Sequence, residues 1–488
     1  MNTLRVRADR SAVRRAAELL RAGEVVAFPT ETVYGLGADA TDPRAVAKIF
    51  AAKGRPEDNP LIVHIADADS LNEIAEVNPE GVADRLRAAF WPGPLTVVLP
   101  ARPGLASNAL GGLPTVAVRM PSHPVALDLI RALGRPLAAP SANRSGRPSP
   151  TDADAVCADL NGRIAMVLDG GPTDIGLEST VVDCTTSPPV ILRPGGISRR
   201  DILSITGSLG LVVGGDLARS PGTRYRHYAP RAQVVRMGAD EAVRVAARPE
   251  VPGLPGVEPR RIAIMASEDM LRHLVAWPGP VYSLGDSPSE AGRRFFRGLR
   301  ALDHPSSDVI AVVWDDDQGV GEALLNRLTK AAGKAADGML LFVCTGNTCR
   351  SAMAEALWNL RYPQLQARSA GVAALSGAPV SAGALRAIQG IQPKAALEHH
   401  RARRVDEVLD DPAWVVTMTE DQTEWVKALR PEWSDKVASL SRWATGRPGD
   451  LSDPYGSSDA AYEALARKID ELLPRLWQGL TERMSKNT

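Results

Sequence analysis

LFVCTGNTCRSAMAEAL, residues 341–357, decides the class of the C-terminal third of this chain. An apolar, β-branched run ends at Cys344, five residues follow, then Arg350, and a helical stretch begins. A dianionic phosphoryl group is held by a nest of backbone N–H groups at a helix N-terminus. Gly346 and Asn347 are residue types that tolerate the left-handed backbone such a loop requires. Arg350 offers a planar guanidinium to two phosphoryl oxygens. Cys344 sits at the centre of that positive field, which favours the thiolate, and Ser351 can hydrogen-bond its sulfur. The chemistry implied is in-line attack of sulfur on phosphorus, giving a cysteinyl-phosphate. Such a step needs a general acid for the leaving group. DLSDPYGSSDAAYEALARKIDELL (450–473) supplies Asp453, held extended by Pro454 ahead of a final amphipathic helix.

These residues, with RSAGV (368–372), resemble the low-molecular-weight protein-tyrosine-phosphatase family over about residues 338–480. The resemblance implies a flavodoxin-like parallel-sheet domain, placed here at 338–488. Cys344 would be the nucleophile, Arg350 the phosphate clamp and Asp453 the acid. Thr345, Gly346, Asn347, Thr348, Cys349 and Ser351 would complete the phosphate loop. Ala352 stands where the family usually has Pro, a change of small consequence because Ala is a good helix former. CTGNTCRS with DPYGS is most similar to the bacterial protein-arginine-phosphatase branch, with Thr345 the discriminating residue. The alternative substrate is phosphotyrosine. Under oxidation, Cys349 could form a reversible disulfide with Cys344.

Outward from that loop, 488 residues suggest about three domains. A hydrophobic share of 44% and a charged share of 23% fit a soluble globular chain and exclude a mainly disordered one. No apolar window is long enough for a transmembrane helix, and the N-terminus has no apolar h-region. The charge balance is 57 against 57, so a bulk basic footprint for nucleic acid is missing. Only 9 of the 57 basic residues are Lys, which makes each Lys mildly informative. Four Cys give no disulfide framework, and the compartment expected is the reducing cytoplasm.

The first half alternates short β-rich runs with helical ones. EVVAFPTETVYGLGAD (24–39) reads as a strand entering a turn, and PRAVAKIFAAKGRP (43–56) as an amphipathic helix stopped by Gly54 and Pro56. PLIVHIA (60–66), PLTVVLPA (94–101), TVAVRMP (115–121) and STVVDCT (179–185) read as strands. Residues 1–212 form one α/β domain in this reading. A basic, aromatic segment follows at 213–230, then a small α/β domain at 231–335. AADG (335–338) is a short linker.

Hydroxyls, Gly and isolated cations recur at the strand ends: FPTETVYGLGADA (28–40), KGRPEDNPLIVH (53–64), APSANRSGRPSPT (139–151) and LESTVVD (177–183). A cavity for a triphosphate and a small polar substrate needs such groups. No GxxxxGK[ST] or GxGxxG fingerprint occurs there. With SPGTRYRHYAP (220–230) and GEALLNRLTKAAG (321–333), these motifs resemble the long-form threonylcarbamoyl-AMP synthase family, YrdC type, over about residues 9–333.

That resemblance implies a YrdC-like twisted-sheet domain followed by a small Rossmann-like domain. It implies synthesis of L-threonylcarbamoyl-AMP from L-threonine, bicarbonate and ATP, with Mg²⁺ held through ATP and no protein metal ligands. The product would pass to a downstream tRNA-modification transferase. The implied L-threonine pocket is Thr32, His64, Arg119 and Ser179, with Ala139 as backbone wall. The implied ATP contacts are Lys53, Arg55, Asn59, Thr115, Ser141, Asn143, Ser149 and Arg193, with Tyr228 as a lid from the linker. The combined expectation is a bifunctional cytoplasmic enzyme acting also on phosphoproteins, with no membrane association and no stable nucleic-acid binding. An RNA-binding module is the alternative for the first part, weakened by 25 basic against 24 acidic residues over 1–230.

Overall fold

The computed structural model describes residues 2–210, 228–238, 242, 257–314, 316, 318–332, 339–362, 365, 367–392, 397–398, 400–408 and 412–484. Linker residues 213–227 and 335–338 lie outside them. The chain divides into two compact units, one ending at Gly333 and one beginning at Lys334.

The first unit contains a ten-stranded mixed sheet. Its strands are β1 (Leu4–Arg7), β2 (Val26–Phe28), β3 (Gly35–Asp39), β4 (Ile62–His64), β5 (Leu95–Pro100), β6 (Thr115–Arg119), β7 (Leu137–Ala138), β8 (Met166–Asp169), β9 (Thr180–Asp183) and β10 (Val190–Arg193). Their order across the sheet is β1-β8-β2-β3-β7-β4-β6-β5-β9-β10. Most of these strands are buried along their length, so they read as continuous apolar runs. Parallel pairing of β4 with β6 sets His64 beside Arg119. Antiparallel β5–β6 pairing sets Arg119 opposite Thr96, and β5–β9 pairing brings Thr180 to the same end.

The helix Pro43–Lys53 begins on an Asp42 cap with Pro at its first position. It stops at Gly54, whose φ of 62° is left-handed. That stop places Lys53 as the last helical residue and turns Arg55 back toward the sheet.

The unit's second sheet has four parallel strands, β11 (Gln233–Met237), β12 (Ile262–Ala266), β13 (Val281–Ser283) and β14 (Val309–Val313), in the order β11-β14-β12-β13. Helices Pro288–Leu302 and Val320–Ala332 pack against it through Phe295, Phe296, Leu299, Leu324 and Leu328. Val33, Leu177 and Tyr228 belong to the same apolar cluster, so loops of the first sheet finish the second sheet's core.

The second unit has a four-stranded parallel sheet, β15 (Leu340–Cys344), β16 (Ala367–Gly371), β17 (Trp414–Thr417) and β18 (Val437–Ser439), in the order β16-β15-β17-β18. Two apolar clusters cover its faces, one of them including the long helix Asp459–Met484. The three-part α/β architecture expected from the sequence is what the chain adopts. Among the described residues, no helix is long and apolar enough to cross a membrane.

Candidate active sites

The first unit has a cleft of about 620 Å³, open to solvent, over the ends of β3, β4, β6 and β9. Thr32, His64, Arg119, Ala139 and Ser179 all line it. So do Arg55, Ser141, Asn143, Arg193 and Tyr228. Lys53, Asn59, Thr115 and Ser149 do not, and each has another contact. Lys53 is buried and its Nζ donates to the carbonyls of Ser141, at 2.5 Å, and Asn143, at 2.6 Å. Burial, then the Arg55 cation, push Lys53 well below its ordinary range. It shapes the 141–143 loop from behind. The Asn59 carbonyl faces Arg55 Nε at 3.4 Å, Ser149 donates to Glu178 at 2.6 Å, and Thr115 pairs with Pro100 in the sheet.

Arg119 organises the floor of the cleft. Its Nη1 donates to Thr32 Oγ1 at 2.9 Å, and its Nη2 lies 2.7 Å from Glu31 Oε1. Burial works to raise the Glu31 carboxyl, but Arg119 outweighs it and holds the group below the usual carboxylate range. Burial, then Arg119, push His64 down to about 3, so its imidazole is neutral at working pH. Arg193 Nη2 donates to the Ser179 carbonyl at 3.0 Å and to its hydroxyl at 3.2 Å. Ser179 Oγ also meets Thr96 Oγ1 at 2.7 Å. Gly195 packs under this strand end, where a Cβ would stand 2.3 Å from the Ser179 carbonyl carbon.

Glu31, Glu178 and Arg327 were not singled out from the sequence. Each is buried, and the two glutamates pair with Arg119 and Arg327. One signal was available. Arg327 occupies the apolar stripe of its helix, in step with Leu324, Leu328 and Ala331.

In the second unit, the loop after β15 wraps the Cys344 sulfur. Sγ accepts from the Asn347 backbone N–H at 3.2 Å and lies 3.0 Å from Ser351 Oγ. Asn347 adopts a φ of 54° and is held by Ser351, Ser369 and the Arg403 backbone N–H. The left-handed freedom expected of Gly346 is not used, because Asn347 alone makes the bend. Gly371 lets the next strand approach: a Cβ there would meet the Thr345 carbonyl at 2.5 Å and the Asn347 nitrogen at 2.9 Å. Arg350 opens the helix Arg350–Arg361 and is buried. Its guanidinium donates to the Leu451 carbonyl at 3.1 Å, Thr345 Oγ1 at 3.2 Å and Asp453 Oδ2 at 2.5 Å. The Cys344 loop, Arg350 and Asp453, expected as nucleophile, clamp and acid, are therefore together.

Cys349 has a free thiol that turns to Ser381 Oγ at 3.1 Å and Tyr462 Oη at 3.7 Å. Thr348 offers its carbonyl to the Ser381 N–H at 2.9 Å. A residue missed by sequence reasoning is Gln422. Its Oε1 accepts from Met418 N at 3.1 Å, which fixes its Nε2 as the donor to Thr345 Oγ1 at 3.0 Å.

Residues 18–195 match the Sua5–YciO–YrdC family described as Telomere recombination. Residues 197–333 match the Threonylcarbamoyl-AMP synthase, C-terminal domain, and 339–486 the Low molecular weight phosphotyrosine protein phosphatase family. The chain is 45% identical over 338 residues to the Threonylcarbamoyl-AMP synthase of Pyrococcus abyssi, covering 68% of this chain and 96% of that protein. It is similar, with a TM-score of 0.62 and 44% identity, to the crystal structure of P. abyssi Sua5 complexed with L-threonine, over 68% of this chain and 97% of that one. The YwlE arginine phosphatase from Geobacillus stearothermophilus is 32% identical, over 31% of this chain and 97% of that one, with a TM-score of 0.29. A mixed sheet with an arginine-floored cleft, sharing its core with a small parallel sheet, is a Sua5-type α/β assembly. The chain belongs to the threonylcarbamoyl-AMP synthase family, and it carries in addition a domain of the low-molecular-weight phosphatase family.

Proposed function

We propose that the chain makes L-threonylcarbamoyl-AMP from L-threonine, bicarbonate and ATP, and that its C-terminal domain is a cysteine-dependent phosphatase for phosphoarginine. The observation that carries the first part is the single cleft in which Thr32, His64, Arg119 and Ser179 meet Arg55, Ser141, Asn143 and Arg193. Arg119 and Thr32 offer donors to an amino-acid carboxylate, with neutral His64 beside them. Carbon dioxide from bicarbonate, joined to the threonine amine, gives a carbamate. Its oxygen attacks the α-phosphorus, and pyrophosphate leaves. No protein nucleophile is required; positioning and charge neutralisation carry the step. Glu31 and Glu178 are engaged by arginines, so Mg²⁺ would arrive with the nucleotide, where it neutralises phosphate charge. The product suits a downstream tRNA-modifying transferase in the cytoplasm.

The test is pyrophosphate release with ATP, bicarbonate and each amino acid singly: threonine alone should support it. Arg55→Ala should cut that rate about 10–100-fold, the effect of losing one charge-assisted bond of about 1.5–3 kcal/mol, and Lys53→Ala should lower it by releasing the 141–143 loop that its ammonium holds. Wild-type rates in both variants would remove these residues from the site.

For the phosphatase, the carrying observation is Thr345, short and polar, facing Gln422 and Arg350. A long aliphatic side chain there would suit a phenyl ring; Thr345 gives less apolar surface, and Asp453 can pair with a guanidinium. Asp453 can also protonate the leaving nitrogen. Compared side by side, kcat/KM should favour phosphoarginine over phosphotyrosine, and Thr345→Ile should shift the ratio toward phosphotyrosine. A wild-type preference for phosphotyrosine of about ten-fold, or ~1.4 kcal/mol, would overturn the substrate and leave the Cys344, Arg350 and Asp453 roles standing.

A further inference from the structure

We propose that Arg327, contributed by the second sheet's helix, is a positioning residue of the synthase cleft, fixing the Glu178 carboxylate and the Tyr228 ring. The inference rests on the synthase reading above. Arg327 is fully buried and does not itself line the cleft, whereas Glu178 and Tyr228 both do. Its Nε donates to Glu178 Oε2 at 2.7 Å, while Glu178 Oε1 takes the Ser149 hydroxyl at 2.6 Å. The guanidinium carbon lies 5.7 Å from the centroid of the Tyr228 ring, which tilts on Phe296 at 5.1 Å. Tyr228 has a φ of 65°, a left-handed backbone that a bulky residue keeps only when its surroundings impose it. Those surroundings include Phe296, Arg327 and Glu178.

Stability alone does not account for this arginine. Leu324, Leu328 and Ala331 share its buried stripe, and an apolar side chain would fill the place. Buried ion pairs are commonly neutral or unfavourable against an apolar replacement. One of its amino groups, Nη2, is buried without a hydrogen-bond partner among the described residues. What Arg327 supplies is a fixed charge for Glu178, whose carboxylate is pushed down to about 2 because Arg327 and Arg193 outweigh its burial. Asn326 Oδ1 accepts from Nη1 at 2.9 Å and locks the fork. Glu178 and Tyr228 stand beside Arg193 and Ser149, expected nucleotide residues, whereas Thr32 and His64, expected threonine residues, adjoin Arg119. Arg327 therefore acts on the nucleotide side.

The experiment is a double-mutant cycle on the full chain. Arg327→Met should lower kcat/KM for ATP at least about ten-fold and change KM for L-threonine by less than about three-fold. If Arg327 works through Tyr228, adding Arg327→Met to Tyr228→Ala should lower activity by no more than about three-fold further. Losses that multiply, or a wild-type Arg327→Met, overturn the proposal. Should Arg327→Met unfold, Arg327→Lys replaces it in the same cycle, with the charge kept and the planar fork lost. Hydrogen exchange tests the same point without turnover. The Ala229 N–H donates to the Gly146 carbonyl at 2.8 Å, and it should exchange at least about ten-fold faster in the Arg327 variant. Unchanged exchange overturns the positioning role even if the wild type releases no pyrophosphate; that latter failure would instead sink the synthase reading.

Discussion

Replacing Arg119 by Met should reduce pyrophosphate release by about 10²–10⁴-fold, because two charge-assisted contacts of about 1.5–3 kcal/mol each disappear from the cleft floor. The same change should destabilise the first unit by about 3–5 kcal/mol, since Glu31 is left buried without its cation. The pH dependence separates this from generic damage. In the wild type Glu31 is held below its ordinary range, so its contribution is present at neutral pH and is lost as pH falls through that lowered value. In the variant, burial is opposed only by backbone hydrogen bonds from Glu31 and Ser122 and raises the carboxyl. The folded state then favours the protonated form, and stability is lost as pH rises. The gap in melting temperature between wild type and Arg119→Met should therefore narrow from pH 7 to pH 5. A gap that widens would contradict the Glu31–Arg119 pairing. Adding Glu31→Gln should recover much of the stability and little of the activity.

Asp453→Asn should lower phosphatase kcat/KM by about 10²–10⁴-fold, the range for losing a positioned general acid. An opposite effect should accompany it. Asp453 Oδ2 occupies Arg350 at 2.5 Å, so an incoming phosphoryl group competes with a carboxylate for the same guanidinium. Asparagine removes that charge. Inorganic phosphate should then inhibit Asp453→Asn at lower concentration than it inhibits the wild type, read as the ratio of inhibition constants. Equal or weaker inhibition would mean that the ion pair does not compete with ligand.

Local chemistry was legible in the sequence wherever residues act through near neighbours. The Cys344–Arg350 loop is one turn of chain, and spacing alone places its parts. The Gly54 stop after Lys53 follows the same local logic. Long-range juxtaposition was not legible from pattern. His64 meets Arg119 only because β4 and β6 pair in parallel, and only resemblance to a family had put both in one pocket. Glu31 and Glu178 were hidden by their motifs: each reads as an ordinary polar residue at a strand end until an arginine from elsewhere is brought to it. Gln422 was hidden differently, since a glutamine early in a helix carries no spacing signature. Gly346 was over-read, because composition says which residues can bend a loop and not which one does.

The apolar cluster that joins Val33, Leu177 and Tyr228 to Phe296 and Leu324 bears on how this chain can be recombined. A chimaera that takes its first sheet from one homologue and its second from another splits a single hydrophobic mosaic. It also separates Glu178 from Arg327. Such hybrids should fit only when both sides of that seam are exchanged together, so the two sheets behave as one heritable block. The C-terminal sheet has two apolar clusters of its own, built among the described residues from 340–480.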